Sequence, residues 1–192
     1  MVRRASKKKS KKKIKAAFLD RDGVINHDYG HVGTIERFDF VENVFTALKK
    51  ISNQGFKIFI ITNQAGIAKK KFSLKNYHTL TSFYLNILRS NNIFIEEVVF
   101  CPHHPNGFEK KYTGDCDYRK PNPGMINYLK EKHNISLSES FLIGDNLTDI
   151  EAGINAGIKK LFLIDLNGKH KADYDMPIDG VYSNLYEFSK TL

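Results

Sequence analysis

The sequence predicts an α/β fold, a Rossmann-like doubly wound parallel sheet with helices on both faces, three layers in all. Three observations carry this. Short runs rich in Val, Ile, Leu and Phe recur along the chain, and they are apolar throughout, as strands buried on both faces are. Between them stand stretches with the 3, 4, 7 spacing of an amphipathic helix, an alternation that argues for parallel strands joined by crossover helices. Several of the runs end in polar or charged residues, and ligands of open α/β sheets bind outside the carboxyl ends of the strands.

Ala16 to Leu19 is the first strand, followed by a polar and aromatic loop over residues 23–40. Val41, Val44, Phe45, Leu48 and Ile51 mark a helix to Ser52, with Gly55 just beyond its end. Phe56 to Ile61 is the second strand and ends in Thr62-Asn63-Gln64. Ser73 is the expected N-cap of a helix whose stripe runs through Leu74, Tyr77, Leu80, Thr81, Tyr84, Leu85 and Leu88. Glu97 to Phe100 is the third strand. Residues 101–120, rich in Pro, Gly, His and Cys, have no period and read as a long functional loop. Pro123 suits the first turn of a helix running to His133. Phe141 to Ile143 is the fourth strand, ending in Gly144-Asp145-Asn146. Thr148 or Asp149 opens a short helix to Ala156, with Gly157 at its C′ position. Leu161 to Ile164, then Gly180 to Tyr182 and a helix from Asn184 to Lys190, complete the chain.

At 192 residues the chain is one domain's worth. Residues 16–192 are expected to form that domain, with no large cap over the site. No apolar run approaches the roughly 20 residues that span a bilayer, and Ala16–Leu19 is too short for a signal h-region. A cytoplasmic monomer without a membrane partner is expected, its two cysteines reduced or ligating a metal. The net charge of +9 suggests nucleic acid until it is located. Residues 1–15 hold nine basic residues and no acid; removing those nine from the 30 basic residues leaves 21, equal to the 21 acidic ones. The excess is therefore a tail, read as disordered and solvated, and the neutral body argues against a nucleic-acid partner.

Asp20 and Asp22 stand one residue apart at the end of the first strand. Like charges that close repel unless a cation or proton lies between them, so the pair is costly as scaffolding and useful as chemistry. Asp20 suits a nucleophile that forms an aspartyl-phosphate, and Asp22 an acid and base. Other strand ends supply Thr62 and Asn63, Arg119 and Lys120, and Asp145. Carboxylates for Mg²⁺, cations and hydrogen-bond donors are what phosphoryl transfer needs.

These residues resemble a known group. Asp20-x-Asp22-Gly23-Val24, Thr62-Asn63, Lys120-Pro121 and Gly144-Asp145-x-x-x-Asp149 are similar to the four motifs of the haloacid dehalogenase superfamily of phosphatases, in order and at family spacing over residues 16 to about 166. Longer matches resemble its heptose bisphosphate and histidinol-phosphate branch: Asp20 to Asn26, Thr62 to Ala68, Cys101-Pro102-His103-His104-Pro105 and Arg119 to Met125. The resemblance implies a phosphomonoesterase acting on a phosphorylated sugar, foremost the 7-phosphate of a heptose 1,7-bisphosphate. The alternatives are histidinol phosphate or a polynucleotide 3′-phosphate. It implies Asp20 as nucleophile, Asp22 as acid/base, and Thr62, Arg119 and Lys120 as phosphoryl contacts. Mg²⁺ would lie on Asp20, the Asp22 main-chain carbonyl and Asp145. Asp28, Tyr29, Gly30 and His31, with Thr62, Asn63, Gln64 and Ala65, would meet the substrate. It also implies zinc on Cys101, His103 and Cys116. The family's fourth ligand is replaced by Tyr118, so either His104 or water completes the set, or packing around Tyr112 and Tyr118 replaces the metal.

Overall fold

The computed structural model describes residues 12–166, 168 and 176–192. Its six-stranded sheet is parallel throughout, ordered β3-β2-β1-β4-β5-β6, with β1 Ala16–Leu19, β2 Lys57–Asn63, β3 Ile95–Cys101, β4 Phe141–Gly144, β5 Lys160–Ile164 and β6 Gly180–Tyr182. Among the described residues five α-helices connect or flank them: α1 Val44–Asn53, α2 Leu74–Ser90, α3 Gly124–His133, α4 Leu147–Ala156 and α5 Leu185–Ser189.

Side chains alternate across a strand, and the two cores divide accordingly. Ala17 and Leu19 of β1, with Ile58 and Ile60 of β2, pack against α1, α2 and α5. Ala16 and Phe18, with Phe59 and Ile61, pack against α3 and α4. β1 is thus buried on both faces, and that is why its four residues carry no polar group. The strand order reverses beside β1, so the chain crosses to opposite sides and leaves a crevice at the strands' carboxyl ends. Phe18 and Phe59 are fully buried with ring centroids 5.8 Å apart, stacked at the crevice's base.

Local signals account for most element ends. Ser73 caps α2: its Oγ accepts from the Asn76 N–H while the Asn76 side chain accepts from the Ser73 N–H. Gly157 takes φ +86 at the end of α4. Several boundaries differ from expectation: α1 starts at Val44 rather than Val41, β2 runs on to Asn63, β3 spans Ile95–Cys101, and the opening of α4 shifts as well. α4 is opened by Asn146, not Thr148 or Asp149: Asn146 Oδ1 accepts from the Thr148 N–H, and Asp149 reaches back to the Asn146 N–H at 3.0 Å. Asp149 is thereby an N3 residue of the helix, turned toward the strand ends.

Of the basic stretch 1–15 read as a tail, residues 1–11 lie outside the described residues. Ile14 and Lys15 belong to the folded body: Ile14 bridges to Ile135, the Lys15 carbonyl accepts from the Lys57 N–H at 2.9 Å, and the Lys15 ammonium sits 4.2 Å over the Phe56 ring. An apolar residue and an aliphatic stem are enough to continue the strand line beyond where charge alone would end it. Among the described residues no helix is long and apolar enough to cross a membrane.

Candidate active site

β1 ends as Asp20 leaves the sheet, its N–H still donating to Ile143 of the next strand at 3.0 Å. β2 ends in Thr62 and Asn63, β4 in Gly144 just before Asp145, and the long loop after β3 returns through Arg119 and Lys120. The parallel register therefore delivers all of these groups to one edge. Asp20, Asp22, Asn63, Arg119, Lys120 and Asp145 line a cavity of about 380 Å³ there, with Asp28, Gly30, His31, Gln64, Ala65, Lys69, His104 and Asp149.

Lys120 is its buried centre. The ammonium lies 2.9 Å from Asp20 Oδ1 and 2.5 Å from Asp149 Oδ1, and donates to the Ile61 carbonyl at 3.0 Å. An ammonium has three protons, and three acceptors surround it. Burial pulls the Lys120 pKa down, but Asp149 and Asp20 outweigh it and hold the group above its ordinary value, fully charged. Asn63 fixes the lysine's backbone reciprocally, Nδ2 donating to the Lys120 carbonyl and Oδ1 accepting from the Lys120 N–H, both at 3.0 Å. The clamp uses one of the two Nδ2 protons, and Asn63 also lines the cavity.

The acids differ in environment. Burial above all, then Asp149 and Asp22, push the Asp20 carboxyl up to about 7 against the pull of Lys120. Burial, Asp20 and Asp149 push Asp145 up to about 8. Asp20, Asp145 and Asp149 bring carboxylate oxygens within 4.8 Å of one another. Once ionised, these three acids against Lys120 leave two negative charges, the complement of one divalent cation. Gly23 marks how tightly the acids are set: it has φ +78, and a Cβ there would run into the Asp145 carboxylate.

Arg119 Nη1 donates to the His103 carbonyl at 3.1 Å, which ties it to the cysteine loop. There Cys101, His103 and Cys116 present ligand atoms within 4.8 Å of one another, with Cys101 Sγ 3.8 Å from His103 Nδ1. Burial pushes the Cys101 thiol up to about 12. Tyr118 packs toward Tyr128 of α3, ring centroids 6.0 Å apart, and His104 lines the phosphoryl cavity, where its Nδ1 accepts from the Asn106 N–H. Three protein ligands are one short of the closed tetrahedral set of structural zinc, so the cluster fits that metal incompletely, and nothing in the cavity's chemistry depends on it.

The structure thus brings together Asp20, Asp22, Asn63, Gln64, Ala65, Arg119, Lys120 and Asp145, with Asp28, Gly30 and His31. Two residues fall elsewhere. Thr62 is buried beneath the cavity, its Oγ1 accepting from Gln64 Nε2 at 2.8 Å. Tyr29 is half exposed and lines an adjoining cavity of about 180 Å³ with His27, Val41 and Leu166. The sequence names Asp149 only within the fourth motif, offers Lys69 to Lys71 as a hold for a second phosphate and His104 as a metal ligand; the structure puts Asp149, Lys69 and His104 in the cavity. Asp149 stands three residues into its helix after a capping asparagine, the signal of a reciprocal cap that turns its carboxylate inward; Lys69 and His104 carry no such local mark.

Against this geometry, comparison with known proteins is decisive. The family model described as polynucleotide kinase 3 phosphatase matches residues 13–177. The chain is 41% identical to the D-glycero-alpha-D-manno-heptose-1,7-bisphosphate 7-phosphatase of Photorhabdus laumondii, over 94% of this chain and 97% of that one. The chain belongs to the haloacid dehalogenase superfamily of phosphatases. This phosphatase is also 32% identical to the beta-anomer enzyme of Escherichia coli K12, over 94% and 95% of the two chains. Its fold matches that of the heptose bisphosphate phosphatase of B. bronchiseptica, solved with magnesium and phosphate: TM-score 0.81 at 24% identity, covering 93% and 97%. As a member of this group the phosphatase is a phosphoric monoester hydrolase.

Proposed function

We propose that this phosphatase removes the 7-phosphate of a D-glycero-D-manno-heptose 1,7-bisphosphate through an aspartyl-phosphate at Asp20. The observation that carries the reading is that the cavity has two chemically different ends. Asp20, Asp145, Asp149 and Lys120 form one, suited to the reacting phosphoryl group. Lys69, His31, His104 and Arg119 form the other. Burial first, then Lys69, lower the pKa of both histidines, and Arg119 also acts on His104. Asp28 and Asp22 offset only part of this at His31, so the basic groups crowd one another. A second phosphate on the substrate supplies the missing balance. Relatives of both anomeric specificities align along nearly the whole chain, and the assay decides between them.

In the first step Asp20 Oδ bonds to phosphorus as the bond to the sugar oxygen breaks, and Asp22 passes its proton to that oxygen. In the second, water attacks phosphorus, gives its proton to Asp22 and releases Asp20. Lys120 balances charge on Asp20 throughout, and Arg119 steadies the substrate. Asp20, the Asp22 carbonyl and Asp145 would hold a magnesium ion, which when bound supplies positive charge to the phosphoryl oxygens.

The test is phosphate release with Mg²⁺ from heptose 1,7-bisphosphate of either anomer, heptose 7-phosphate, histidinol phosphate and a 3′-phosphorylated oligonucleotide. The bisphosphate is expected to exceed the 7-monophosphate in kcat/KM by roughly 10-fold or more, and Lys69→Gln to erase most of that margin through KM. Equal use of mono- and bisphosphate by the wild type would remove the two-ended reading.

Metal binding carries its own pH signature. Asp20 and Asp145 have folded values near 7 and 8 against an ordinary 3.8. Their raised values contribute stability that is complete below about 4 and lost as pH rises through 7 to 8. A divalent cation reverses this loss because it binds the ionised acids. Added MgCl₂ is therefore expected to raise Tm more at pH 8 than at pH 6, at roughly 2–4 °C for each kcal/mol recovered. Equal shifts at both pH values would show that the raised acids do not hold the ion.

A further inference from the structure

Asp22 has to present one oxygen to the leaving group and later to water, and its own short side chain does not settle where those oxygens point. Its sequence neighbour does. The Arg21 side chain is completely buried. It grips Asp22 with Nε 3.2 Å from Oδ1 and with Nη2 at 2.8 Å from each carboxylate oxygen. Nη2 also donates to the Val32 carbonyl at 2.5 Å, which anchors the fork to the substrate loop. Tyr77 and Tyr84, both buried on α2, are near enough to influence the guanidinium electrostatically. Asn26 Nδ2 donates to Asp22 Oδ1 at 2.9 Å and Gln64 Nε2 to Oδ2 at 3.0 Å. Asp22 is thus backed by donors on its protein side while its side chain stays 19% exposed toward the cavity.

Burying a guanidinium is costly, and an ion pair between adjacent residues does not by itself justify it. What a planar bidentate fork adds is direction: it fixes the plane of the carboxylate it holds. We infer that Arg21 is the positioning residue for the proton transfers of Asp22, aiming its oxygens at the oxygen that leaves and then at the water that attacks. The inference rests on the two-step reading above. The bond changes are those already written, with Arg21 neither gaining nor losing a proton.

The test compares leaving groups. A sugar alkoxide needs the Asp22 proton to depart; 4-nitrophenolate does not. In Arg21→Met, kcat/KM for the heptose bisphosphate is expected to fall roughly 100-fold or more, while kcat/KM for 4-nitrophenyl phosphate stays within about threefold of wild type. The second step is slowed for both substrates, so 4-nitrophenyl phosphate should give a burst of one nitrophenolate per enzyme before a slow steady state. Arg21→Lys keeps the buried charge without the fork, and should show the same pattern more weakly; it carries the test if the methionine variant does not fold. Asp22→Asn separates the two ideas. If it lacks the leaving-group pattern, the acid/base reading itself falls. If it shows the pattern while the Arg21 variants lose both activities equally, or neither, Arg21 is a structural residue and the inference is overturned.

Discussion

Asp20→Asn is expected to lower phosphate release by at least about 10⁴-fold while raising the thermal stability of the metal-free protein. Both halves come from one environment. The amide that replaces the carboxylate cannot form the bond to phosphorus, so no covalent intermediate exists, and what remains is the slow attack of water on a bound substrate. The stability half follows from the acid's position. Lys120 lowers the Asp20 pKa, yet burial and the nearby acids win, leaving it at about 7 rather than 3.8. Above about pH 4 the unfolded chain ionises this acid while the fold resists, so its neutral isostere relieves a cost that is about 1–2 kcal/mol at pH 5 and grows to about 4 kcal/mol by pH 8. Lys120 keeps its closest partner, Asp149 at 2.5 Å, and does not become an orphaned charge. Phosphate release and paired melts at pH 5 and pH 8 without divalent cation check the prediction. Turnover comparable to wild type would exclude Asp20 as nucleophile, and a Tm loss at pH 8 would show that its charge is stabilising after all.

The architecture was legible because the forces behind it are local and periodic. β1, apolar throughout, and β2, apolar from Ile58 to Ile61, point to strands covered on both faces, and Ser73 and Gly157 announce helix ends by their own chemistry. The acids were legible for a different reason: Asp20, Asp22 and Asp145 lie just beyond strand ends, which parallel topology gathers, and Lys120 closes the long loop that returns from β3. What the sequence does not display is how a side chain is used once it arrives. Asn63 has the same chemistry whether it meets a phosphate or the Lys120 peptide, and only the approach of the loop after β3 decides. Arg21 reads as a surface arginine in an acidic turn until the packing of α2 and Val32 encloses it. Tyr29 sits in the same loop as His31 yet faces another cavity, because Gly30 at φ +72 and His31 at φ 53 turn the chain between them. Lys69 is one of three consecutive lysines, and nothing local distinguishes it from Lys70, which pairs with Glu109 at 3.7 Å.

Lys120→Met is expected to abolish turnover and to cost about 3–5 kcal/mol of stability, the range for removing one partner of a buried ion pair. The methionine stem fills the channel nearly as well as the lysine stem, so packing is not the issue; the loss is electrostatic. Asp20 and Asp149 would face each other with no cation between them, and the Ile61 carbonyl would lose its donor. With Lys120 gone, the nearby positive charge that lowers the Asp20 pKa disappears and the nucleophile is held still further toward its protonated, unreactive form. Asp149 distinguishes the structural from the chemical part. Its carboxylate lies within 4.8 Å of those of Asp20 and Asp145 but is assigned no bond to phosphorus, and as asparagine it can still accept from the Asn146 N–H that opens α4. Asp149→Asn in the Lys120→Met background should therefore recover a good part of the stability, since one of the two stranded charges is gone, and none of the activity. Urea unfolding of wild type, single and double variants, alongside phosphate release, gives both numbers. A Lys120→Met protein as stable as wild type would mean that the ammonium is not enclosed between two acids. Recovery of turnover with stability in the double variant would mean that Lys120 serves the fold alone and takes no part in handling the phosphoryl group.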